Sequence, residues 1–377
     1  MNDFGGDVAI LGAGLIGLAT AFELASRGAT VRVFDTSSEP RRGASWAAAG
    51  MLAPRTEHLP DREMVDLCEK SLSLYPQFVD GLRENADIDP WLRLDGILSV
   101  AYDEEHADEL QRHAGRLNAD GIGVEFFDRS QTIAAEAALG KNAIASLLVH
   151  GEGQIDNRRL GRLLVAACQS RGVLIRTGLR TVEVQCDSRR VLGIRTDIGF
   201  SPAQWVVNAT GAWAGNLAGV PSQCVPPVTP VKGEMLAIEV PPEFVRRTTW
   251  VPGAYLVPRA DGRLLVGATV ERMGFDTHTT ARGVHALLDA ALRAMPALAD
   301  FGVGEIWAGL RPGTPDERPF LGATALGGYL LATGHYRNGV LLAPITARYL
   351  GEAIERSDFR TLAPFALART GTKSPAA

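Results

Sequence analysis

Cysteine is scarce and scattered in this 377-residue chain. Its four cysteines, Cys68, Cys168, Cys186 and Cys224, form no CxxC pair, so neither a disulfide framework nor a cysteine zinc site is expected. Histidine offers no metal site either. His106 and His113, like His278 and His285, stand seven apart, which on a helix separates them by about 10 Å along the axis, too far for either pair to hold one ion. No basic block occurs among 38 Lys+Arg against 43 Asp+Glu, a net charge of −5. Nucleic acid and anionic membrane surfaces are therefore excluded as partners. Long unbroken apolar runs are missing too: Val8 to Leu24 contains Glu23 and three glycines and follows no basic leader, so neither a signal peptide nor a membrane span is expected. Reduced thiols and these absences together predict a cytoplasmic protein. The length suits two domains, and 46 % hydrophobic residues suits a globular fold.

What is present begins with Asp7 to Asp35, DVAILGAGLIGLATAFELASRGATVRVFD. An apolar run, three glycines, a helix-like stretch to Arg27, a break at Gly28 and a second β-branched run make a βαβ unit. Gly12 allows the tight turn, Gly14 lets backbone approach a pyrophosphate, and Gly17 lets helix and strand pack closely. The amides around Leu15 and Ile16, at the helix N-terminus, are expected to face phosphates. Asp35, followed by Thr36, is placed to accept hydrogen bonds from ribose hydroxyls. The motif alone leaves NAD, NADP and FAD open.

The loop after it, TSSEPRRGASWAAAGMLAP, shows neither helical nor strand period between Thr36 and Pro54. Its small side chains would let a flat ring lie against backbone, with Ala44 and Ser45 near a pyrophosphate and Ala49, Gly50 and Met51 near the ring. Glu63 to Asn85 repeats apolar residues at helical spacing, Trp91 to Tyr102 reads as a hairpin turning at Asp95 and Gly96, and Asp103 to Ala119 reads as a solvated helix. From Gly151 the pattern returns to α/β. WVVNATG ends at Gly211 in a small-residue turn that offers the nucleotide a second contact, and Leu179 marks the expected adenine end. Val228 to Val270 carries alternating strands, GEMLAIEV and YLVPRADGRLLVGATV, which predict an antiparallel sheet with Tyr255 and Val257 on one face.

Near the C-terminus, Leu330 to Ala332 leads through Gly334 and Gly339 into a further helix. The amides of His335, Tyr336, Arg337, Asn338, Gly339, Val340 and Leu341 are expected to form an anion-stabilising site. Two such sites at opposite ends of the chain do not suit a simple NAD dehydrogenase. They suit extended FAD, with its ADP half at the first and its ring at the second, where a helix dipole stabilises the charge that develops on hydride uptake.

These motifs carry a resemblance. GAGLIG, RGASWAAAGML, the ATG turn, YLVPRADGRLLVGAT, GLRPGTPD and GHYRNGVLLAP, in that order over nearly the whole length, resemble the D-amino-acid oxidase superfamily and, within it, the glycine oxidases of thiamine biosynthesis. The resemblance implies an α/β fold: a Rossmann-like FAD-binding domain (1–62, 140–225 and 305–366) and a substrate domain built on a mainly antiparallel sheet (63–139 and 226–304). Residues 367–377 are expected to be a disordered tail.

It also implies oxidation of glycine, sarcosine or a small D-amino acid to an imine by hydride transfer to flavin N5, with oxygen regenerating the flavin and releasing hydrogen peroxide. Arg311 matches the carboxylate-binding arginine, as its planar fork suits. Tyr255 matches a tyrosine reaching the same carboxylate, and Arg337 lies at the flavin-to-substrate junction. No general base and no metal is assigned. A homo-oligomer and a functional link to thiazole synthase are expected partners. Val270 and Gly253 replace a methionine and a histidine of the family's pattern, at positions expected to line the substrate pocket. Competing readings are a D-amino-acid dehydrogenase feeding a quinone and a flavin-fold subunit of a heteromeric sarcosine-oxidase-like complex.

Related sarcosine oxidases attach flavin through a cysteine near the GLRPG region, and no cysteine here follows Cys224. Attachment by that route is therefore not expected, and the resemblance implies a noncovalent FAD. Denaturing the yellow protein and filtering it should leave all the colour in the filtrate, and colour retained with the polypeptide would refute this.

Overall fold

A computed structural model describes residues 7–38, 43–57 and 59–372. The β-branched runs Asp7–Leu11 and Thr30–Phe34 pair in parallel, because the helix between them returns the chain to the same edge. Around them lies a six-stranded sheet in the order Phe320–Ala323, Tyr329–Thr333, Trp205–Asn208, Asp7–Leu11, Thr30–Phe34, Leu174–Arg176. Only Phe320–Ala323 runs antiparallel to its neighbour. Four helices, Leu15–Ser26, Arg62–Arg83, Asn157–Ser170 and Ala343–Arg356, share the largest apolar cluster with this sheet.

An eight-stranded sheet supplies the second layer: Val303–Gly313, Thr229–Glu239, Arg263–Gly267, Ala254–Pro258, Thr248–Val251, Ile97–Ala101, Ala145–Val149, Val124–Asp128. It is antiparallel apart from the Thr248–Val251 and Ile97–Ala101 pair. One face packs on the Ala281–Ala294 helix. The other carries Tyr255, Val257, Met235 and Trp307 against Ala47 and Ala49 of the small-residue loop, so Tyr255 and Val257 do share a face. Among the described residues, no helix is long and apolar enough to cross a membrane.

Several expectations are corrected. Ala145–Val149 and Val303–Gly313 lie in the eight-stranded sheet, although both were expected on the nucleotide side; a short apolar strand does not announce its sheet. Arg62–Arg83, expected with the second domain, packs in the core of the first sheet, where its Tyr75 hydroxyl donates to the Val340 carbonyl. Trp91 to Tyr102 is no hairpin. Gly96, at φ 94°, turns the chain into Ile97–Ala101, while Arg93 bridges to Gln154 instead. The loop after Asp35 is not structureless: Ala44–Ala47 forms a helical turn and Met51–Leu52 a strand beside Gly153–Gln154. Leu367–Thr372, expected to be tail, forms a 3-10 turn in which Arg369 pairs with Asp316. Residues 373–377 of that expected tail lie outside the described residues.

The first βα turn is as tight as the glycines require. A Cβ on Gly17 would stand 2.0 Å from the Gly12 carbonyl oxygen, which is backbone and cannot yield. Gly17→Ala should therefore cost about 2–3 kcal/mol, read as a lower urea midpoint, and an unchanged midpoint would contradict this packing.

Candidate active site

A cavity of about 880 Å³ runs between the two sheets. Its near end is the first βα turn, where Gly12, Gly14, Leu15, Ile16, Asp35 and Thr36 line the wall. A Cβ on Gly12 would meet the Ala209 carbonyl oxygen at 2.4 Å, so the turn before Gly211 presses directly on the fingerprint. The Leu15–Ser26 helix has no side-chain cap and no acid in its first turn, which leaves the positive end of its dipole toward the cavity. A donor and an acceptor expected to face a ligand are partly engaged. Leu15 donates its amide to Ser45 Oγ at 2.9 Å, and Asp35 accepts from the amides of Ala13 at 2.6 Å and Ser37 at 2.7 Å.

The middle wall is the loop of small residues, lined by Ala44, Ser45, Ala49, Gly50 and Met51. Its shape is held from outside. Asn157 Nδ2 donates to the carbonyls of Ser45 and Trp46, Trp307 Nε1 to that of Ala47 at 3.0 Å, Arg259 Nη2 to that of Ala49 at 2.5 Å, and the Ile155 amide to that of Gly50 at 2.9 Å. With so many carbonyls drawn outward, the methyl groups and amides are left to form the cavity wall. Arg259 is itself buried and also donates to Gln154 and Asn157. Burial pulls its guanidinium down to about 10, so it is still a cation at neutral pH.

The far end brings together Tyr255, Arg311 and Arg337, 26 to 82 residues apart in sequence, with Gly233, Met235 and Glu57. Arg311 Nη1 donates to the carbonyls of Lys232 at 3.3 Å and Thr269 at 3.0 Å. Its guanidinium fits only because Gly233 faces it, since a Cβ there would stand 2.3 Å away. Burial raises the Tyr255 phenol above its ordinary range, although Arg311 and Arg337 pull the other way; the hydroxyl therefore keeps its proton and can donate. Arg337 Nε donates to the Glu57 carboxylate.

His335, Tyr336, Gly339 and Val340 also line the cavity, and burial pushes the His335 imidazole down to about 3, leaving it neutral beside Thr346 Oγ1 at 3.0 Å. The expected helix start is displaced, however: Tyr336–Asn338 is a 3-10 turn and the helix begins at Ala343. The Asn338 amide donates to the His335 carbonyl and so faces no ligand.

Four expected ligand residues are not in the cavity wall: Gly17, Leu179, Asn338 and Leu341. Gly17 packs helix on strand. Leu179 is buried in an apolar cluster, while the next residues, Arg180 to Glu183, line the wall in its place. Leu341 is buried, its carbonyl accepting from the Ser71 hydroxyl. Gly253 and Val270, expected in the pocket, are also elsewhere. Gly253 turns the chain at φ 86° with Ala290 Cβ as its neighbour, and Val270 is 52 % exposed. Glu57, Gly233 and Arg259 were not anticipated. The alternation in GEMLAIEV could have found Gly233, which lies opposite Gly309 on the strand carrying Arg311.

A family model described as FAD dependent oxidoreductase matches residues 7–353. A bifunctional protein ThiO/ThiG of Synechocystis sp. (strain ATCC 27184 / PCC 6803 / Kazusa) is 38 % identical over 353 residues, covering 92 % of this chain and 51 % of the relative. The chain thus spans about half the length of that relative. A glycine oxidase of Geobacillus kaustophilus (strain HTA426) is 35 % identical over 367 residues, with 96 % of this chain and 97 % of the relative covered. The crystal structure of glycine oxidase from Geobacillus kaustophilus superposes with a TM-score of 0.90 at 34 % identity, covering 97 % and 99 %.

Behind the far end sits a buried acid, Glu152, which accepts hydrogen bonds from the amides of Arg55 and Thr56 and from the Thr56 hydroxyl. Burial pushes its carboxyl up to about 7 against the pull of those donors. The folded chain then holds a proton that the unfolded chain, titrating near 4.5, has already released. Stability should accordingly fall as pH rises from about 4.5 to about 7 and level off above. Glu152→Gln should flatten that slope in urea melts at about pH 5 and about pH 8; an identical slope in the variant would remove Glu152 as its cause.

Proposed function

The chain belongs to the FAD-dependent oxidoreductase family, and within it we propose oxidation of glycine or a similar small amine carrying one carboxylate, such as sarcosine or a small D-amino acid. Its residues fit FAD. The glycine cradle at Gly12, the uncapped helix start, the methyl-lined loop and the arginine-rich far end lie along one continuous cavity. We assign Gly12, Gly14, Ile16 and Asp35 to the adenosine diphosphate half, and Ala49 to Met51 with His335, Tyr336, Arg337, Gly339 and Val340 to the ring.

One observation carries the substrate reading: Arg311, with carbonyl oxygens behind it and Gly233 beside it, lies at the far end of the cavity next to a protonated Tyr255. A guanidinium can grip a carboxylate by two parallel hydrogen bonds, and the Tyr255 hydroxyl adds a third. Bound FAD supplies the two-electron acceptor for the amine's α C–H bond, and oxygen then yields hydrogen peroxide. The chain's own contribution is position: the carboxylate is anchored at Arg311, and the α-carbon is directed back along the cavity toward the loop of small residues. No protein group is required as a base when the amine enters neutral. Release of the imine to a thiazole-forming synthase is the role favoured by relatives in which a chain like this is half of a bifunctional ThiO/ThiG protein.

Glycine, sarcosine and D-alanine should each be tried anaerobically for bleaching of the visible absorption, then with oxygen for peroxide. Bleaching without peroxide would favour a dehydrogenase, and neither result from the isolated chain would favour a subunit that needs a partner. Arg311→Ala should raise KM about 100-fold, the loss of two charge-assisted hydrogen bonds, with flavin content unchanged. An unaltered KM would sink the assignment.

A further inference from the structure

Among the described residues, three arginines line the cavity: Arg180, Arg311 and Arg337. Arg180 belongs to the nucleotide end, where its largely exposed side chain pairs with Asp197. At the far end the other two differ in one respect. Arg337 is matched by a carboxylate, that of Glu57, whose side chain is only 9 % exposed. Arg311 is matched by two carbonyl dipoles, and among the described residues no carboxylate pairs with it.

We propose that Glu57 determines how many carboxylates a substrate can carry: by neutralising Arg337 it leaves Arg311 as the one far-end cation, among the described residues, available to an anion. This rests on the reading of Arg311 as the carboxylate site. An amine with one carboxylate satisfies Arg311 and brings no second charge. A dicarboxylic amine would bring its second carboxylate toward an arginine already paired and against the carboxylate that pairs it, in a cavity that offers little water to screen them.

Glu57 is held where this requires. Its amide donates to the Ala53 carbonyl at 3.2 Å, closing a turn. The two residues before it are gripped from three elements: Glu152 takes the amides of Arg55 and Thr56, His113 Nε2 meets the Arg55 carbonyl at 2.9 Å, and Glu69 pairs with the Arg55 side chain at 3.1 Å. The carboxylate therefore approaches Arg337 from a braced turn. Swinging away to admit a second anion would mean unmaking that brace.

The test uses the flavin-loaded protein and two anions that cannot be oxidised as amines, methoxyacetate with one carboxylate and diglycolate with two, titrated by their effect on the visible spectrum. The native protein should bind methoxyacetate and take diglycolate at least about 10-fold more weakly. Glu57→Gln, which keeps the shape and removes the charge, should bind diglycolate at least about 10-fold more tightly than the native protein, a gain that adding Arg337→Gln abolishes and that Glu57→Asp does not reproduce. Should Glu57→Gln fail to fold, Arg337→Gln alone serves: it leaves Glu57 unpaired near Arg311 and should weaken methoxyacetate several-fold, and unchanged binding would overturn the proposal. Normal methoxyacetate binding with an unchanged diglycolate constant in Glu57→Gln overturns the role of Glu57 alone. Absence of methoxyacetate binding to the native protein overturns the reading of Arg311 as well.

Discussion

A guanidinium sealed from water ties the eight-stranded sheet of this molecule to the loop of small residues and to the start of the Asn157–Ser170 helix. Arg259, at the end of the Ala254–Pro258 strand, reaches the Ala49 carbonyl, Gln154 and Asn157. Each partner belongs to a different element, and each accepts a hydrogen bond from the arginine. A buried cation with neutral partners is expensive to desolvate, so its use here marks a place where geometry outranks stability. What it fixes is the loop from Ser45 to Met51, and that loop is the wall shared by both ends of the cavity.

The loop shows how a site can be built from residues with almost no chemistry of their own. Its alanines contribute methyl groups and amides, while the recognition of shape lies in Asn157, Trp307 and Arg259 outside the wall. Charge is confined to the two ends. A helix start without a cap faces the near end, and two arginines, one paired with a carboxylate and one held by carbonyls, face the far end. The neutral His335 between them adds no charge that could move with pH.

What could be read from the chain follows from how local each constraint is. The fingerprint was legible because Gly12, Gly14, Gly17 and Asp35 answer to one turn and two short strands, and the match of motifs in order made Arg311 and Tyr255 visible. Element types were legible as well, as with the Arg62–Arg83 helix and its 3.6-residue period. Partnerships across long separations were not. Nothing near Glu57 signals a residue 280 positions later, and ASLLV at 145–149 is equally apolar whichever sheet receives it. Gly253 was misplaced because the family's pattern alone put it in the pocket, whereas here it turns the chain at φ 86° just before the Ala254–Pro258 strand.

The Val303–Gly313 strand carries three of these relationships on alternate residues. Trp307 donates to the loop, Gly309 leaves room for Ala47 Cβ, which a side chain would meet at 2.4 Å, and Arg311 enters the cavity. Opposite them stand Met235, Gly233 and Val231 in unbroken register. Because side chains alternate along a strand, gaining or losing one residue between Trp307 and Arg311 would turn one of them out of its place. Among descendants of this gene, single-codon insertions and deletions should be tolerated in many surface turns and purged from these five positions, where spelling drifts but length is inherited intact.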